Sequence, residues 1–228
     1  MAQRCDAVPL SDYRTCLDEY LRGVAAPFAS VAGRIIEERL PAEYARDPLR
    51  PCLVLWACEA CGGDGADALP VAAAFDLFDR FLLLHDELAD DSGEALARWG
   101  LGQSLNAGDA LYALGFRNLA AGVRQPQHRL AVAKLVAEAV LHAVELRADD
   151  ERGAALTSAA LASGALLAGA PEDAAAAFAR AGSLLAAAGA AGDPAIARQA
   201  VDALRPWTAA QTLDAFEEVA RYVARPTA

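Results

Sequence analysis

The stretch FLLLHDELADDSG, from Phe81 to Gly93, joins four bulky apolar residues to a group of carboxylates at the end of a predicted helix. The acids are Asp86, Glu87, Asp90 and Asp91. The negative end of a helix dipole disfavours each acid there by a few tenths to about 1 kcal/mol, and the acids also repel one another. A cation near these side chains would offset that cost.

Helical spacing brings some of these acids together. Asp86 and Asp90 are four residues apart and share one face of a helix, and Glu87 precedes Asp90 by about one turn. Mg²⁺ is a hard cation that takes oxygen ligands and usually shares phosphate oxygens. The spacing predicts a Mg²⁺ site formed by Asp86, Glu87 and Asp90, and a solvated acidic helix end is the alternative interpretation.

Composition places this helix in a soluble globular protein. The 228 residues are 55% hydrophobic, yet 31 acids against 20 Lys and Arg give a net charge of −11. Phosphate backbones and anionic membranes require a basic surface, so the acidity argues against nucleic acid or lipid headgroups as partners. We expect no signal peptide and no membrane span, although the Ala-rich stretch Ala174–Ala191 comes closest, and we expect a cytoplasmic protein.

Apolar residues recur at three- and four-residue spacing along nearly the whole chain, and alternating β patterns are absent. The periodic segments are approximately 17–40, 53–61, 69–88, 101–119, 130–146, 154–167, 174–188, 195–204 and 212–223. Pro- and Gly-containing turns separate them. We therefore predict one all-α domain over residues 1–228, a bundle of roughly nine helices.

The five cysteines include a Cys58-x-x-Cys61 spacing, which is also found in redox motifs and half zinc sites. The pair lies in an apolar run with no second pair and no nearby histidine. Small core or groove cysteines in a reducing cytosol are the favoured interpretation, since free cysteine is usually buried.

Four motifs occur in an order that resembles the trans-isoprenyl diphosphate synthase (polyprenyl synthetase) family. They are Leu49-Arg50-Pro51, ACEACGG at 57–63, HDELADDS at 85–92 and ARWGLGQSLNAGDALYALGF at 97–116. Together with AALTSAALASGALLAGA from Ala154, the resemblance covers roughly residues 45 to 190. It implies an isoprenoid-synthase-like helical bundle around a central cavity.

The resemblance also implies a chemistry. Family members bind an allylic prenyl diphosphate through Mg²⁺, the diphosphate leaves, and isopentenyl diphosphate attacks the carbocation. Metals and basic side chains stabilise the leaving group, while an apolar cavity holds the prenyl tail. The expected catalytic residues are Asp86 and Asp90, the expected metal ligands Asp86, Glu87 and Asp90, and the expected substrate-binding residues Arg50, Arg152, Phe81 and His142.

Several departures from the family pattern remove charge. Arg46, Asp47 and Pro48 replace the Gly-Lys-Arg that precedes Leu-Arg-Pro, and two arginines that follow the first acidic motif are deleted. The second aspartate-rich motif, expected after Leu185, reads AAAGAAGDPAIARQAVDAL. Losing one preorganised charge-stabilising group typically costs about 10²–10³ in rate. We therefore expect a degenerate member with little ordinary chain elongation.

Two function classes follow from this pattern. In the first, the protein binds one allylic diphosphate and transfers, cyclises or hydrolyses the prenyl group. In the second, it is a non-catalytic subunit that modulates an active prenyl diphosphate synthase, as a homodimer or a heterodimer with a family member. A lipid-binding or scaffolding bundle without diphosphate chemistry is a third interpretation.

Overall fold

A computed structural model describes residues 10–25, 31–39, 49–91, 93–146 and 149–225. These residues form ten α-helices and no strand, which confirms the all-α prediction. The helices are α1 Ser11–Ala25, α2 Val31–Arg39, α3 Leu49–Ala60, α4 Gly65–Ala89, α5 Glu94–Gly122, α6 Pro126–Glu145, α7 Asp149–Leu167, α8 Glu172–Ala191, α9 Pro194–Leu204 and α10 Ala210–Val223. The first periodic segment, predicted as one helix, is two. Pro27 lies between them and was the overlooked signal.

Helix α4 lies at the centre of the larger core. Its N-cap Asp64 accepts a hydrogen bond from the Ala66 amide, and every residue from 71 to 78 is buried. Such an all-round apolar surface is typical of a helix surrounded by others. Helices α3 and α5 pack beside α4, and α1 and α7 also contact it.

A second core lies between α3 and the last three helices. Trp56 of α3 stacks on Phe216 with ring centroids 4.9 Å apart, and Phe178 of α8 lies 6.0 Å from Trp56 on another side. Helix α3 therefore has one face against α4 and another against this second core. This arrangement holds the first turn of α3 beside both α4 and α7.

Close helix packing around α7 depends on glycine. A Cβ on Gly164 would lie 2.7 Å from the Ala57 Cβ, and one on Gly182 would lie 2.7 Å from the Ser158 Cα. Both distances are below those of real Cβ contacts, so α3, α7 and α8 can approach this closely only without those Cβ atoms. Helix α7 is thereby fixed against its two neighbours.

Helix α8 has a length and apolar composition that would also suit a membrane span. In the fold, its Phe178 and Leu185 are buried in the second core.

The described cysteines are free thiols. Cys52 and Cys58 are buried, as expected for core cysteines, whereas Cys16 is exposed. Burial raises the pKa of Cys58 to about 12 and that of Cys61 to about 11. Thiolates are the reactive form, so neither thiol is activated.

Candidate functional site

The carboxylates of the C-terminal half of α4 lie along one face of the helix. At about 100° per residue, Asp79, Asp86 and Asp90 fall within about 40° of one another around the axis. Asp79 comes seven residues before Asp86, so it lies two turns deeper in the bundle. The acidic face is therefore longer than the sequence motif alone indicated.

An arginine of α7 neutralises Asp86. Arg152 Nη1 donates to Asp86 Oδ2 at 2.6 Å, with 14% of the arginine side chain and 34% of the aspartate side chain exposed. Charge-assisted bonds of this length are among the stronger hydrogen bonds in proteins. A protein cation thus offsets the cost of this carboxylate at the helix end.

Arg152 is also tied to the end of α6. Its Nε and Nη2 donate to the carbonyl oxygen of Leu146, the C-cap residue of α6, at 3.2 and 2.9 Å. The C-terminal carbonyls of a helix carry partial negative charge and favour cations. The guanidinium therefore joins α4, α6 and α7, and its position is set from two sides.

A second arginine pairs with Asp79. Arg50 Nη1 donates to Asp79 Oδ1 at 2.5 Å, and Arg50 Nε donates to Thr157 Oγ1 of α7 at 3.3 Å. Burial raises the pKa of Asp79, while Arg50 opposes the shift. Arg50 thus links the first turn of α3 to α4 and α7, beside the pair formed by Arg152.

Both arginines reach the beginning of α7. Arg152 belongs to its first turn, and a Cβ on the next residue, Gly153, would lie 3.9 Å from Arg50 Nη2. Among the described residues, Arg50 Nη2 makes no hydrogen bond, so it keeps donors for a ligand. Two planar guanidinium groups along the same face of α4 offer donors suited to a phosphate or diphosphate.

A third ion pair lies inside α4 itself. Arg80 Nε donates to Asp76 Oδ2 at 2.5 Å and Nη2 to Oδ1 at 3.1 Å, and both side chains are at most 5% exposed. This bidentate pair satisfies two charges that would be costly to bury alone.

The expected three-ligand metal site does not form from side chains alone. Across the described residues, no group of three His, Cys, Asp or Glu side chains could hold a metal ion. The Glu87 carboxylate lies beside Gly93 at the start of α5, where a Cβ would lie 3.0 Å from Glu87 Cδ, and Asp90 is exposed. One or two carboxylates can still bind Mg²⁺ when a substrate phosphate supplies the other ligands.

Aromatic rings line the face of α4 that packs on α5. Phe81 is buried, with its ring centroid 4.6 Å from that of His85 and 5.3 Å from that of Tyr112. A Cβ on Gly108 would lie 2.5 Å from His85 Cδ2, so the imidazole packs closely on α5. Phe81 therefore lies in an aromatic layer one to two turns before the acids.

The last expected site residue, His142, and the residues of the altered family motifs lie apart from this cluster or outside the described residues. His142 is exposed in the last turn of α6, where its side chain has no hydrogen bond or ion pair with any described residue. Asp193 is the N-cap of α9 and accepts a hydrogen bond from the Ala195 amide. Arg46, Asp47, Pro48 and Ser92 lie outside the described residues.

Sequence reasoning missed Asp79, Thr157 and the Asp76–Arg80 pair. The sequence did contain a signal for Asp76, Asp79 and Arg80, because all three interrupt the apolar run AAAFDLFDRFLLL at 72–84. Charges in a helix that is buried on all sides must find partners. Nothing in the pattern indicated which residues those partners would be.

Comparison with known proteins agrees with this geometry. Residues 47–150 match the polyprenyl synthetase family model. A geranylgeranyl diphosphate synthase of Mycobacterium tuberculosis is 43% identical over 76 residues, which cover 31% of this chain and 22% of the relative. A short chain isoprenyl diphosphate synthase of Methanothermobacter thermautotrophicus is 42% identical over 74 residues, 30% of this chain and 23% of that protein. The matched stretch thus spans about a fifth of the length of each relative.

Solved structures share the fold over nearly the whole chain. A geranylgeranyl pyrophosphate synthetase from Pyrococcus horikoshii superposes with a TM-score of 0.85 and 15% identity, covering 96% of this chain and 97% of that one. A deletion mutant of the heterotetrameric geranyl pyrophosphate synthase of mint gives 0.76 and 18%, covering 92% and 98%. At such identities the likeness establishes the helical architecture alone.

Proposed function

We propose that this chain, which belongs to the trans-isoprenyl diphosphate synthase (polyprenyl synthetase) family, binds the diphosphate of an allylic prenyl diphosphate beside Asp86 and Arg152 and acts on its prenyl group. The observation that carries the proposal is the placement of two arginines along the acidic face of α4, with Arg50 on Asp79 and Arg152 on Asp86.

The two arginines are the groups that bind the leaving diphosphate. Arg50 keeps a free Nη2 among the described residues, and Arg152 is held by Leu146 in a fixed orientation. Donors that are positioned before the reaction stabilise developing negative charge without reorganisation. Allylic C–O bonds break by ionisation, so stabilising the departing diphosphate is the main task of the site.

Asp86 and Asp90 would hold a Mg²⁺ together with diphosphate oxygens, and Glu87 would contribute from the adjacent turn. The metal, when bound, would neutralise charge on the leaving group. Phe81 would border the prenyl tail, because it lies on α4 before the acids and in contact with the ring of Tyr112. His142 remains a proposed contact at the end of α6.

The reaction we favour is prenyl transfer or another non-standard reaction of a single prenyl diphosphate, in a cytoplasmic protein. Such a reaction needs no second diphosphate site, so the replacement of Gly-Lys-Arg at 46–48 and of the second aspartate-rich motif after Leu185 would matter less.

The test is to incubate the protein with Mg²⁺ and C10, C15 or C20 allylic diphosphates, with and without isopentenyl diphosphate, and to measure released pyrophosphate and extracted products. Asp86→Asn should abolish turnover. Asp202→Asn is the matched control, because Asp202 also pairs with an arginine, at 2.8 Å, on the exposed surface of α9. No release of pyrophosphate from any of the three diphosphates would contradict an enzymatic role.

A second candidate function, a subunit that associates with and modulates a prenyl diphosphate synthase, is favoured by apolar exposure on α5 and α6. The exposed apolar residues are Leu101, Leu105, Tyr112, Leu130, Leu141 and Val144. On each helix they fall on one side, within about 60°. Leu130, at 75% exposure, also lines a cleft of about 390 Å³ between the two helices. Contiguous exposed apolar surface marks association sites.

Association is tested by light scattering and by co-purification with a coexpressed full-length prenyl diphosphate synthase. Leu141→Glu should weaken the complex, whereas Gln103→Glu, an exposed control on α5, should not. A monomer at all concentrations that captures no synthase would contradict this second candidate.

A further inference from the structure

Arg152 already holds one oxygen of the Asp86 carboxylate. Its Nη1 lies 2.6 Å from Oδ2, and the other two bonds of the guanidinium hold it against the Leu146 carbonyl. Only 14% of the arginine side chain is exposed. The carboxylate therefore has a counterion that the fold itself holds in place.

We infer that Arg152 is the built-in counterion of Asp86 and suppresses divalent-metal binding at that carboxylate until a diphosphate gives the guanidinium another acceptor. The suppression of metal binding is inferred from the ion pair between Arg152 and Asp86 alone. The part that concerns diphosphate rests on the proposed function.

Charge and distance explain why Arg152 would suppress metal binding at Asp86. Mg²⁺ binds carboxylate oxygens at about 2.0–2.1 Å, so an ion on Asp86 Oδ2 would lie within a few ångströms of the guanidinium. Like charges at that separation repel strongly where solvent screening is reduced. Asp90 is exposed, and Glu87 lies beside Gly93, so neither compensates for a neutralised Asp86.

The geometry of the Arg152 guanidinium explains how a diphosphate would release Asp86. A guanidinium can bond two oxygens of a phosphate side by side, and Nη1 is the arm that now holds Asp86. A diphosphate beside Arg152 would take that arm while the Leu146 bonds keep the side chain in place. Asp86 would then be available to a metal, so diphosphate and metal would each raise the affinity for the other, as linkage requires.

The decisive experiment titrates Mg²⁺ alone, at constant ionic strength, by calorimetry and by thermal melting. The wild type, Arg152→Gln and Arg124→Gln are compared. Arg124 also pairs with an aspartate, Asp67, but on the exposed surface at the other end of α4, so its variant matches the change in net charge. We expect Arg152→Gln to bind Mg²⁺ about tenfold or more tighter than the wild type. Arg124→Gln should not.

Equal affinity of the wild type and Arg152→Gln would overturn the inference. Because Arg152 also caps α6, circular dichroism must show that the variant folds. If Arg152→Gln does not fold, Asp86→Asn decides the question. Unchanged Mg²⁺ affinity in Asp86→Asn supports the inference, because Asp86 then takes no part in Mg²⁺ binding by the wild type. A loss of Mg²⁺ affinity overturns it.

The diphosphate part is tested with farnesyl diphosphate. In the wild type, the rise in melting temperature with Mg²⁺ and farnesyl diphosphate together should exceed the sum of the separate rises, and in Arg152→Gln the two should add. Additive rises in the wild type would overturn the coupling. Failure of farnesyl diphosphate and its C10 and C20 counterparts to bind would refute the proposed function, whereas tighter Mg²⁺ binding by Arg152→Gln would still support the counterion.

Discussion

Replacing Gly182 with alanine tests the packing that positions α7. Gly182 lies in α8, and a Cβ there would lie 2.7 Å from both the Thr157 carbonyl carbon and the Ser158 Cα. These are backbone atoms, so no side-chain rotation can relieve the contact. Helices α7 and α8 must move apart.

The magnitude follows from that distance. Ordinary contact begins at 3.4 Å, and the Thr157 carbonyl oxygen would lie closer still, so the helices must separate by at least about 0.7 Å at this point. Overpacking of this kind typically costs about 1–3 kcal/mol, and the higher helix propensity of alanine offsets up to about 1 kcal/mol. We expect a net loss of about 2 kcal/mol in the free energy of unfolding. For a chain of this size, that lowers the melting temperature by about 4–8 °C.

The assay is urea unfolding followed by circular dichroism, together with thermal melting. Gly102→Ala is the matched control, because a Cβ on Gly102 in α5 would have no atom within 4 Å. That substitution should be neutral or stabilising by up to about 1 kcal/mol. If Gly182→Ala proves as stable as Gly102→Ala, the close approach of α7 and α8 is wrong.

The same substitution reaches the candidate site. Thr157, whose backbone would be displaced, accepts the Arg50 Nε bond at 3.3 Å. A shift of α7 would lengthen this bond and loosen Arg50. We therefore expect weaker binding of farnesyl diphosphate in Gly182→Ala, measured at a temperature where the variant is fully folded.

Three further predictions concern the buried polar groups of the bundle. Arg80→Met should lower the free energy of unfolding, measured in urea, by about 3–5 kcal/mol because it leaves Asp76 buried without its partner. The double variant Asp76→Leu with Arg80→Met should restore most of that loss. Similar stabilities for the single and double variants would contradict this. Burial raises the pKa of Asp79 above its ordinary 3.8, so the contribution of this carboxyl to stability is complete below that pH and is lost as the pH rises through the folded-state pKa. Asp79→Asn should therefore gain stability relative to the wild type in urea unfolding as the pH rises above 3.8. The reverse trend would mean that Arg50 outweighs burial. Asn118→Ala should cost about 1–3 kcal/mol, because Asn118 bonds the Pro70 carbonyl at 2.7 Å and the Tyr20 hydroxyl at 3.0 Å, while Tyr20→Phe should cost less.

The fold class could be predicted from the sequence and is confirmed, and the stretch 47–150 matches the family model that the motifs had indicated. Helical periodicity is local information, since apolar residues three and four apart must share a face in any bundle. Helix boundaries were predicted less well. The segment at 17–40 was predicted as one helix because its apolar spacing continues across Pro27, but it contains two helices.

The candidate site was only partly predictable. Asp86 and Arg152 were both expected at the site, but their pairing across 66 positions of sequence was not. The prediction that Glu87 shares a metal with Asp86 and Asp90 stays a prediction. Residue spacing along one helix shows which faces the side chains share. It cannot show that the Glu87 carboxylate lies beside Gly93, at the start of the next helix.

The sequence by itself therefore determined an all-α bundle, a stretch that matches the polyprenyl synthetase family, and an acidic face at the end of the central helix. It did so because helical periodicity and short motifs are written in neighbouring residues. Only the tertiary structure decided which cations meet that face. The partners come from the first turns of α3 and α7, and packing through Gly164 and Gly182 brings α3, α7 and α8 together.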